Sequence, residues 1–470
     1  MDNIMDRRKF LKTFTAASII TAAVATGCKR EEKPTDIAEV ALGEVPTDKM
    51  TYRTNPTTGD KVSLLGFGAM RLPTIYGGSA RGTDDKISQK KVNDLVDYAI
   101  AHGVNYFDTA PVYCKGFSES SMGEALSRHD RSKYFIATKL SNFDPTTWSR
   151  EGSMQIYENS FRYLKTDYID YLLLHSVGQP DDVNTALERF NKRFIDNGML
   201  DFLMEERRRG RIRNLGFSYH GDMELFEYLL SINEIVQWDF VQIQMNYIDW
   251  RHAEDGDGRN ANAEKLYKRL DEIGIPVVIM EPLLGGQLAS LNEHLTKEMK
   301  TRRPQSSIAS WAFRFAGSFP RILTVLSGMT YMEHLQDNIR TYSPLEPCTD
   351  EEFAFLEQAA GIYLNYPLVP CTSCRYCMPC PYGIDIPGVF SFYNKMVNSG
   401  NVTSSAADPE YNDARRAFLI GYDRALPGIR QADHCIGCNQ CSKHCPQRID
   451  IPGKMQLIDK YVEKLKQNIL

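Results

Sequence analysis

Eight short apolar runs alternate with amphipathic helical stretches between Met50 and Arg340, and that alternation leaves very few folds open. The runs are Leu64–Phe67, Asn105–Asp108, Tyr134–Thr138, Tyr168–Leu174, Asn214–Phe217, Phe240–Met245, Pro276–Met280 and Leu323–Leu326. Each is short enough to be a strand buried on both faces. Between them the spacing predicts helices at Val92–His102, Met154–Leu164, Leu200–Arg209, Met223–Ile232, Ala263–Gly274, Ser307–Gly317 and Met332–Arg340. Roughly eight strand–helix pairs over ~290 residues, here eight strands with seven helices read, are what an α/β TIM (β/α)8 barrel requires. An open doubly wound sheet would need a G-x-G-x-x-G turn after one strand, and Gly66-Phe67-Gly68 falls short of that. Ahead of the barrel, Thr51–Arg53 and Lys61–Ser63 flank Asn55-Pro56-Thr57-Thr58-Gly59 as a hairpin.

The rest of the chain divides around this block into residues 1–28, 29–49, 50–345 and 346–470. A net charge of -5 gives no electrostatic footprint for nucleic acid. Arg7-Arg8-Lys9-Phe10-Leu11-Lys12 precedes a mild apolar run, Phe14 to Ala25, and resembles a twin-arginine export signal. Ala25-Thr26-Gly27-Cys28 resembles a lipoprotein cleavage box, with Ala25 where leucine is usual. The expectation is an exported protein, periplasmic or anchored to the membrane through a lipid on Cys28. Lys29 to Lys49 reads as a tether.

Cysteine usage is lopsided: of 11 cysteines, eight fall between Cys371 and Cys445. Cys435, Cys438, Cys441 and Cys445-Pro446 follow the C-x2-C-x2-C-x3-C-P spacing of bacterial ferredoxins. Cys371, Cys374, Cys377 and Cys380-Pro381 follow it with one residue fewer before the last cysteine. In that pattern the cysteine before proline serves the other cluster. One [4Fe–4S] cluster is therefore expected on Cys371, Cys374, Cys377 and Cys445, and a second on Cys435, Cys438, Cys441 and Cys380. Paired C-x2-C units also suit zinc, but eight cysteines with two following prolines favour the clusters. The two halves echo each other, Cys380-Pro381-Tyr382-Gly383-Ile384-Asp385-Ile386-Pro387 against Cys445-Pro446-Gln447-Arg448-Ile449-Asp450-Ile451-Pro452. Helices at Glu351–Leu364, Val389–Met396, Tyr411–Tyr422 and Lys454–Gln467 make this a small α-helical ferredoxin-like domain.

Asn105 to Tyr113, Asn-Tyr-Phe-Asp-Thr-Ala-Pro-Val-Tyr, ends a buried strand at Pro111 and presents a tyrosine at its C-terminal mouth. Phe107 to Tyr113 with Gly116-Phe117-Ser118-Glu119 resembles the aldo-keto reductase signature, as do Ala137-Thr138-Lys139 and Leu172-Leu173-Leu174-His175 on the next two strands. The likeness runs from about Val62 to Arg340, and the cysteine region fits the branch with a C-terminal ferredoxin-like extension. The resemblance implies a catalytic set. Tyr113 would exchange a proton with the carbonyl oxygen, Lys139 held by Asp108 would stabilise the phenolate, and His175 would donate to the carbonyl. Cys114 stands where the family usually has glycine.

The resemblance also implies a nicotinamide cofactor, with contacts at Gly66, Gly68, Ser218, Gln242, Pro282, Leu283, Gly328, Asp337 and Asn338. Tyr219 replaces an asparagine, Met280 an aromatic ring, and no arginine or lysine occupies the stretch between Gly328 and Leu335, where His334 stands. A 2′-phosphate without such a partner loses its charge-assisted bonds, which favours NAD over NADP. The substrate expected is a small carbonyl or alcohol, sugar-derived in an exported protein. Nicotinamide moves two electrons and a cluster one, so two roles for the clusters stand open. They are structural or shape the substrate mouth, or they pass electrons to a redox partner. A third reading makes the barrel a catalytically idle scaffold for an electron-transfer module.

Overall fold

The computed structural model describes residues 44–81, 85–178, 183–255 and 260–470. The stretch read as an export signal, Cys28 and residues 29–43 of the stretch read as a tether lie outside the described residues. No helix among those described is long and apolar enough to cross a membrane.

A short hairpin, β1 (Tyr52–Thr54) and β2 (Lys61–Ser63), precedes eight parallel strands. These are β3 (Leu65–Gly68), β4 (Tyr106–Asp108), β5 (Phe135–Leu140), β6 (Ile169–Val177), β7 (Ile212–Tyr219), β8 (Phe240–Gln244), β9 (Val277–Met280) and β10 (Ile322–Gly328). They pair in chain order, and β10 closes on β3 to complete the barrel. All eight expected strands form. Helices missing from the sequence reading appear at Ser118–Leu126, Val183–Phe190 and Glu293–Arg302.

Side-chain period two sorts each strand into an inward and an outward set. Tyr106, Ala137, Tyr171, Leu173, Phe240, Val278 and Leu326 pack together inside, joined from below by Val62 of the hairpin. Phe107, Ile136, Leu172 and Leu174 face outward into the larger core beneath the helices. Asn55 in the hairpin turn donates to Tyr171 Oη and Asn214 Oδ1, which ties this plug to the barrel floor. Gly66 belongs to this interior. A Cβ there would meet Leu326 Cδ2 at 2.7 Å and Thr324 Oγ1 at 2.9 Å, so its glycine is a packing requirement.

The C-terminal boundary differs from the one expected at 345. Helix Asp350–Leu364 sends Phe355, Leu356, Ala359, Ala360 and Tyr363 into the barrel core, and a separate apolar core begins at Val369. Thr349 and Glu352 form a reciprocal capping box that starts the helix. In the cysteine region the internal repeat has a structural purpose. Asp385 and Asp450 cap helices Ile386–Asn398 and Ile451–Gln467 by accepting from Gly388 and Gly453, with Pro387 and Pro452 in the first turn. Each Cys-Pro is thus held a few residues ahead of a fixed helix start. From Glu44 to Leu470 the chain forms one contact unit, barrel and cysteine region together.

Candidate active site

Three strand ends supply the chemistry by the same rule of alternation. Asp108 lies two residues beyond inward Tyr106, Lys139 two beyond Ala137 and His175 two beyond Leu173, on neighbouring strands in register. All three face the C-terminal mouth and are buried. Lys139 Nζ donates to both carboxylate oxygens of Asp108 at 2.7 Å and to the Thr109 carbonyl at 2.8 Å. Burial pushes the Asp108 carboxyl up and the Lys139 ammonium down, and the charge of each opposes the other's shift. The contact is that of a buried ion pair whose donors are used up.

Tyr113 stands over that pair, with Lys139 Nζ 4.8 Å from its ring centroid. Burial pushes its phenol well above the usual value; Asp108 adds to the rise and Arg81 opposes it. The two residues after Tyr113, Cys114 (φ 50) and Lys115 (φ 56), both occupy the left-handed region. Such a turn favours glycine, and Cys114 is held there by burial and by donating its thiol to the Met70 carbonyl at 3.5 Å. His175 packs edge-on to Tyr113, ring centroids 5.9 Å apart, and its Nδ1 lies 2.6 Å from Ser141 Oγ. Burial lowers its pKa well below the ordinary value, and the charges of Lys139 and Arg193 push the same way. The imidazole is neutral.

A cavity of about 500 Å³ opens above these groups. Gly68, Asp108, Tyr113, Lys139, His175, Ser218, Gln242, Pro282, Leu283, Gly328, Asp337 and Asn338 line it. Gly66 does not, because the barrel interior absorbs it. Met280 lines the cavity and its Sδ accepts from Gln242 Nε2 at 3.3 Å. Tyr219 turns away and donates to the Asp222 carbonyl at 2.5 Å, leaving the next residue, His220, on the wall. Near the outer end His334 lies between Glu333 and Asp337. Asp337 accepts from Ser307, and Asn338 donates to Ser327 at 2.9 Å.

Several lining groups had no sequence signal. Arg71 donates to the carbonyls of Gly285 and Thr372, at 3.2 and 2.9 Å. Arg81 donates from Nε to the Cys374 carbonyl at 3.2 Å. Glu281 accepts from the Gly285 N–H at 2.7 Å. Thr372, Cys374, Tyr376, Pro446 and Gln447 complete the wall from the cysteine region. Behind His175, Arg193 is buried in a short π-helical segment, Asn191–Ile195, and donates to the carbonyls of His175 and Ser176. That segment lies in the connection between β6 and β7.

The cysteines sort into two groups. Cys371, Cys374, Cys377 and Cys445 line one small cavity, closed by Ile386, Phe390 and Ile451. Burial raises the Cys377 thiol, and the charges of Cys374, Cys371, Cys445 and Cys441 act in the same direction. Cys441 has Cys435 and Cys380 as its thiol neighbours. Four thiols around an apolar cavity suit a cubane, and this cavity brings Cys445 to the three cysteines of the other half of the repeat. No three His, Cys, Asp or Glu groups among the described residues converge on a single-ion site. Cys438 is exposed, whereas Cys445 is buried.

Comparison with known proteins places these features. A model of the aldo/keto reductase family matches residues 64–360, and a 4Fe-4S dicluster domain model matches residues 370–449. The uncharacterized oxidoreductase YqkF of Bacillus subtilis is 25% identical over 341 residues, 66% of this chain and 96% of its own. L-galactose dehydrogenase of Arabidopsis thaliana is 24% identical over 316 residues, 63% of this chain and 90% of its own. The holo form of an aldo-keto reductase from Bacillus halodurans superposes with a TM-score of 0.50 at 23% identity, covering 66% of this chain and 96% of that one. That last likeness is one of fold.

Proposed function

The chain belongs to the aldo/keto reductase family and carries a 4Fe-4S dicluster domain, and from that premise we propose NAD-dependent hydride transfer on a small carbonyl or alcohol. The observation that carries the proposal is the meeting of Asp108, Tyr113, Lys139 and His175 at one barrel mouth, in one cavity. Bound nicotinamide supplies or accepts the hydride. Ser218, Gln242 and Met280 would hold the reactive ring and Gly328, Asp337 and Asn338 the adenosine, and all six line the cavity. Glu333 and Asp337 there would repel a 2′-phosphate, which supports NAD.

In the reductive direction Tyr113 Oη delivers the proton to the carbonyl oxygen. A buried phenol leaves as phenolate only with positive charge at hand, and Lys139 and Arg81 provide it. His175 aligns the substrate. Where the Ser141 hydroxyl donates to Nδ1, the ring proton sits on Nε2 and can be offered to the carbonyl oxygen. The low pKa of His175 keeps it in this neutral form across the physiological range.

The dicluster domain supports a second element of the proposal, that it shapes the substrate mouth. Thr372, Cys374, Tyr376 and Gln447 are wall residues of the same cavity. When bound, a [4Fe–4S] cluster supplies one-electron chemistry; the four-cysteine set next to the mouth and the exposed Cys438 would give it an inner and an outer site. A sugar-derived substrate is favoured by the likeness to L-galactose dehydrogenase. Arg7-Arg8 supports export by the twin-arginine route, with Cys28 as a lipid attachment point and the periplasmic side as destination.

The test is Tyr113→Phe in the full, cluster-loaded protein. Carbonyl reduction should fall by about 10²–10⁴-fold, the range for a general acid, while nucleotide titration stays near native. Turnover retained in that variant removes the assignment.

A further inference from the structure

Arg81 is a buried arginine without a full set of partners, and nothing in the family pattern uses it. It is 7% exposed, its Nε donates to the Cys374 carbonyl, and its Nη2 finds no partner among the described residues. It lines the cavity beside Tyr113 and Tyr376. Its charge reaches both phenols, so it lies at the reacting end. The second guanidinium of this wall, Arg71, differs on both counts. Its Nη2 is taken by the carbonyls of Gly285 and Thr372, and its side chain lies along Gly328, at the nucleotide end. Of the carboxylates on this wall, Asp108 is taken by Lys139, and Glu281 is engaged by the Gly285 N–H.

A desolvated guanidinium nitrogen left unpaired is costly, and a planar fork is matched best by a carboxylate or phosphate. We propose that Arg81 is a specificity residue that binds an anionic group of the substrate, so that the preferred carbonyl compounds carry a carboxylate or a phosphate. The inference rests on the proposed carbonyl chemistry of Tyr113. The Cys374 carbonyl holds Arg81 in place, so the cysteine region positions a substrate-binding group of the barrel.

Matched substrates test it on the full-length, cluster-loaded protein. One pair is succinic semialdehyde against pentanal, and the other is glyceraldehyde 3-phosphate against glyceraldehyde. The anionic member of at least one pair should have the higher kcat/KM by about tenfold or more, the scale of one charged hydrogen bond, and the pair that responds identifies the anion. Arg81→Gln should collapse that ratio, and Arg81→Lys, which keeps the charge and loses the fork, should restore part of it. Where Arg81→Gln does not fold, the lysine variant alone should still show a reduced ratio. Equilibrium dialysis of radiolabelled succinate and phosphate against the NAD-saturated protein reads the site without turnover, and Arg81→Gln should weaken the bound anion about tenfold. If neutral aldehydes are reduced and neither anion is preferred or bound, the inference falls and the carbonyl reading stands. If no aldehyde is reduced yet an anion binds through Arg81, the reading of the reaction falls and the anion site stands. A larger loss of NADH affinity than of anion preference in Arg81→Gln assigns the residue to the nucleotide and overturns the proposal.

Discussion

His175 shows how one side chain can report on its surroundings through pH. Its folded pKa lies well below the ordinary 6.5, while in the unfolded chain it titrates near that value. Below ~6.5 the unfolded chain binds a proton that the folded one does not, so stability falls as pH falls. The drop in melting temperature between about pH 7.5 and about pH 5.5 should be smaller in His175→Asn than in the native protein. An equal drop in both would mean the imidazole titrates in the fold as it does in the unfolded chain. At the other end of the cavity, Glu333 and His334 set the expected nucleotide choice. Replacing both by arginine should shift the kcat/KM ratio of NADPH over NADH upward by about ten- to a hundredfold, the worth of one or two charged hydrogen bonds. Asp108 and Tyr113 were legible from a strand that breaks at Pro111, and Lys139 and His175 from the resemblance of their strand ends to the aldo-keto reductase signature. Arg81 was not, since its partner Cys374 is 293 residues away and no local pattern marks the contact. Gly66 misled because a glycine required by tight barrel packing looks the same in sequence as one required by a ligand.

Among the elements, the loop Cys371–Cys377 is one that joins the two regions. It lies on the turn Leu284–Ala289 after β9, where Gln287 Nε2 donates to the Cys371 carbonyl at 3.0 Å. Gly285 (φ +71) is the point of closest approach, and a Cβ there would sit 2.3 Å from Thr372 Cα. Gly286 (φ +103) has nothing within 4 Å of such an atom. Gly285→Ala should therefore destabilise by about 2–4 kcal/mol, from clash and backbone strain together, and Gly286→Ala by only about 1–2 kcal/mol, from strain alone. Denaturant melts of the two variants separate these contributions, and equal losses would argue against the close contact. The strands and long helices were legible because their apolar periods are strong. Ser118–Leu126 was hidden by its serines and glycine, and the buried π segment around Arg193 by its polar composition. The boundary at 345 failed for a related reason: prolines mark a turn in the chain, not the limit of a core, and helix Asp350–Leu364 returns to the barrel.

Over the whole molecule, the crossed pairing of the cysteines makes a quantitative prediction. Cys371→Ala and Cys445→Ala, 74 positions apart in sequence, should each remove about four of about eight irons and the same spectroscopic signal. Cys380→Ala should remove the other signal. Loss of the first set should also raise KM more than loss of the second, because its loop and Gln447 are walls of the cavity. Iron analysis with electron paramagnetic resonance and steady-state kinetics reads all three variants, and separate signals lost from Cys371→Ala and Cys445→Ala would break the pairing.

The fit of Thr372 over Gly285 also bears on how the molecule comes to completion. The barrel strands end at Gly328, and the loop that lies over the turn after β9 is made only from Cys371 onward. Arg71, Gly285, Gln287 and the Cys371–Thr372 backbone then bond across the edge of the cavity. The wall that Thr372, Cys374, Tyr376, Pro446 and Gln447 supply is thus the last part of the cavity to be made in chain order.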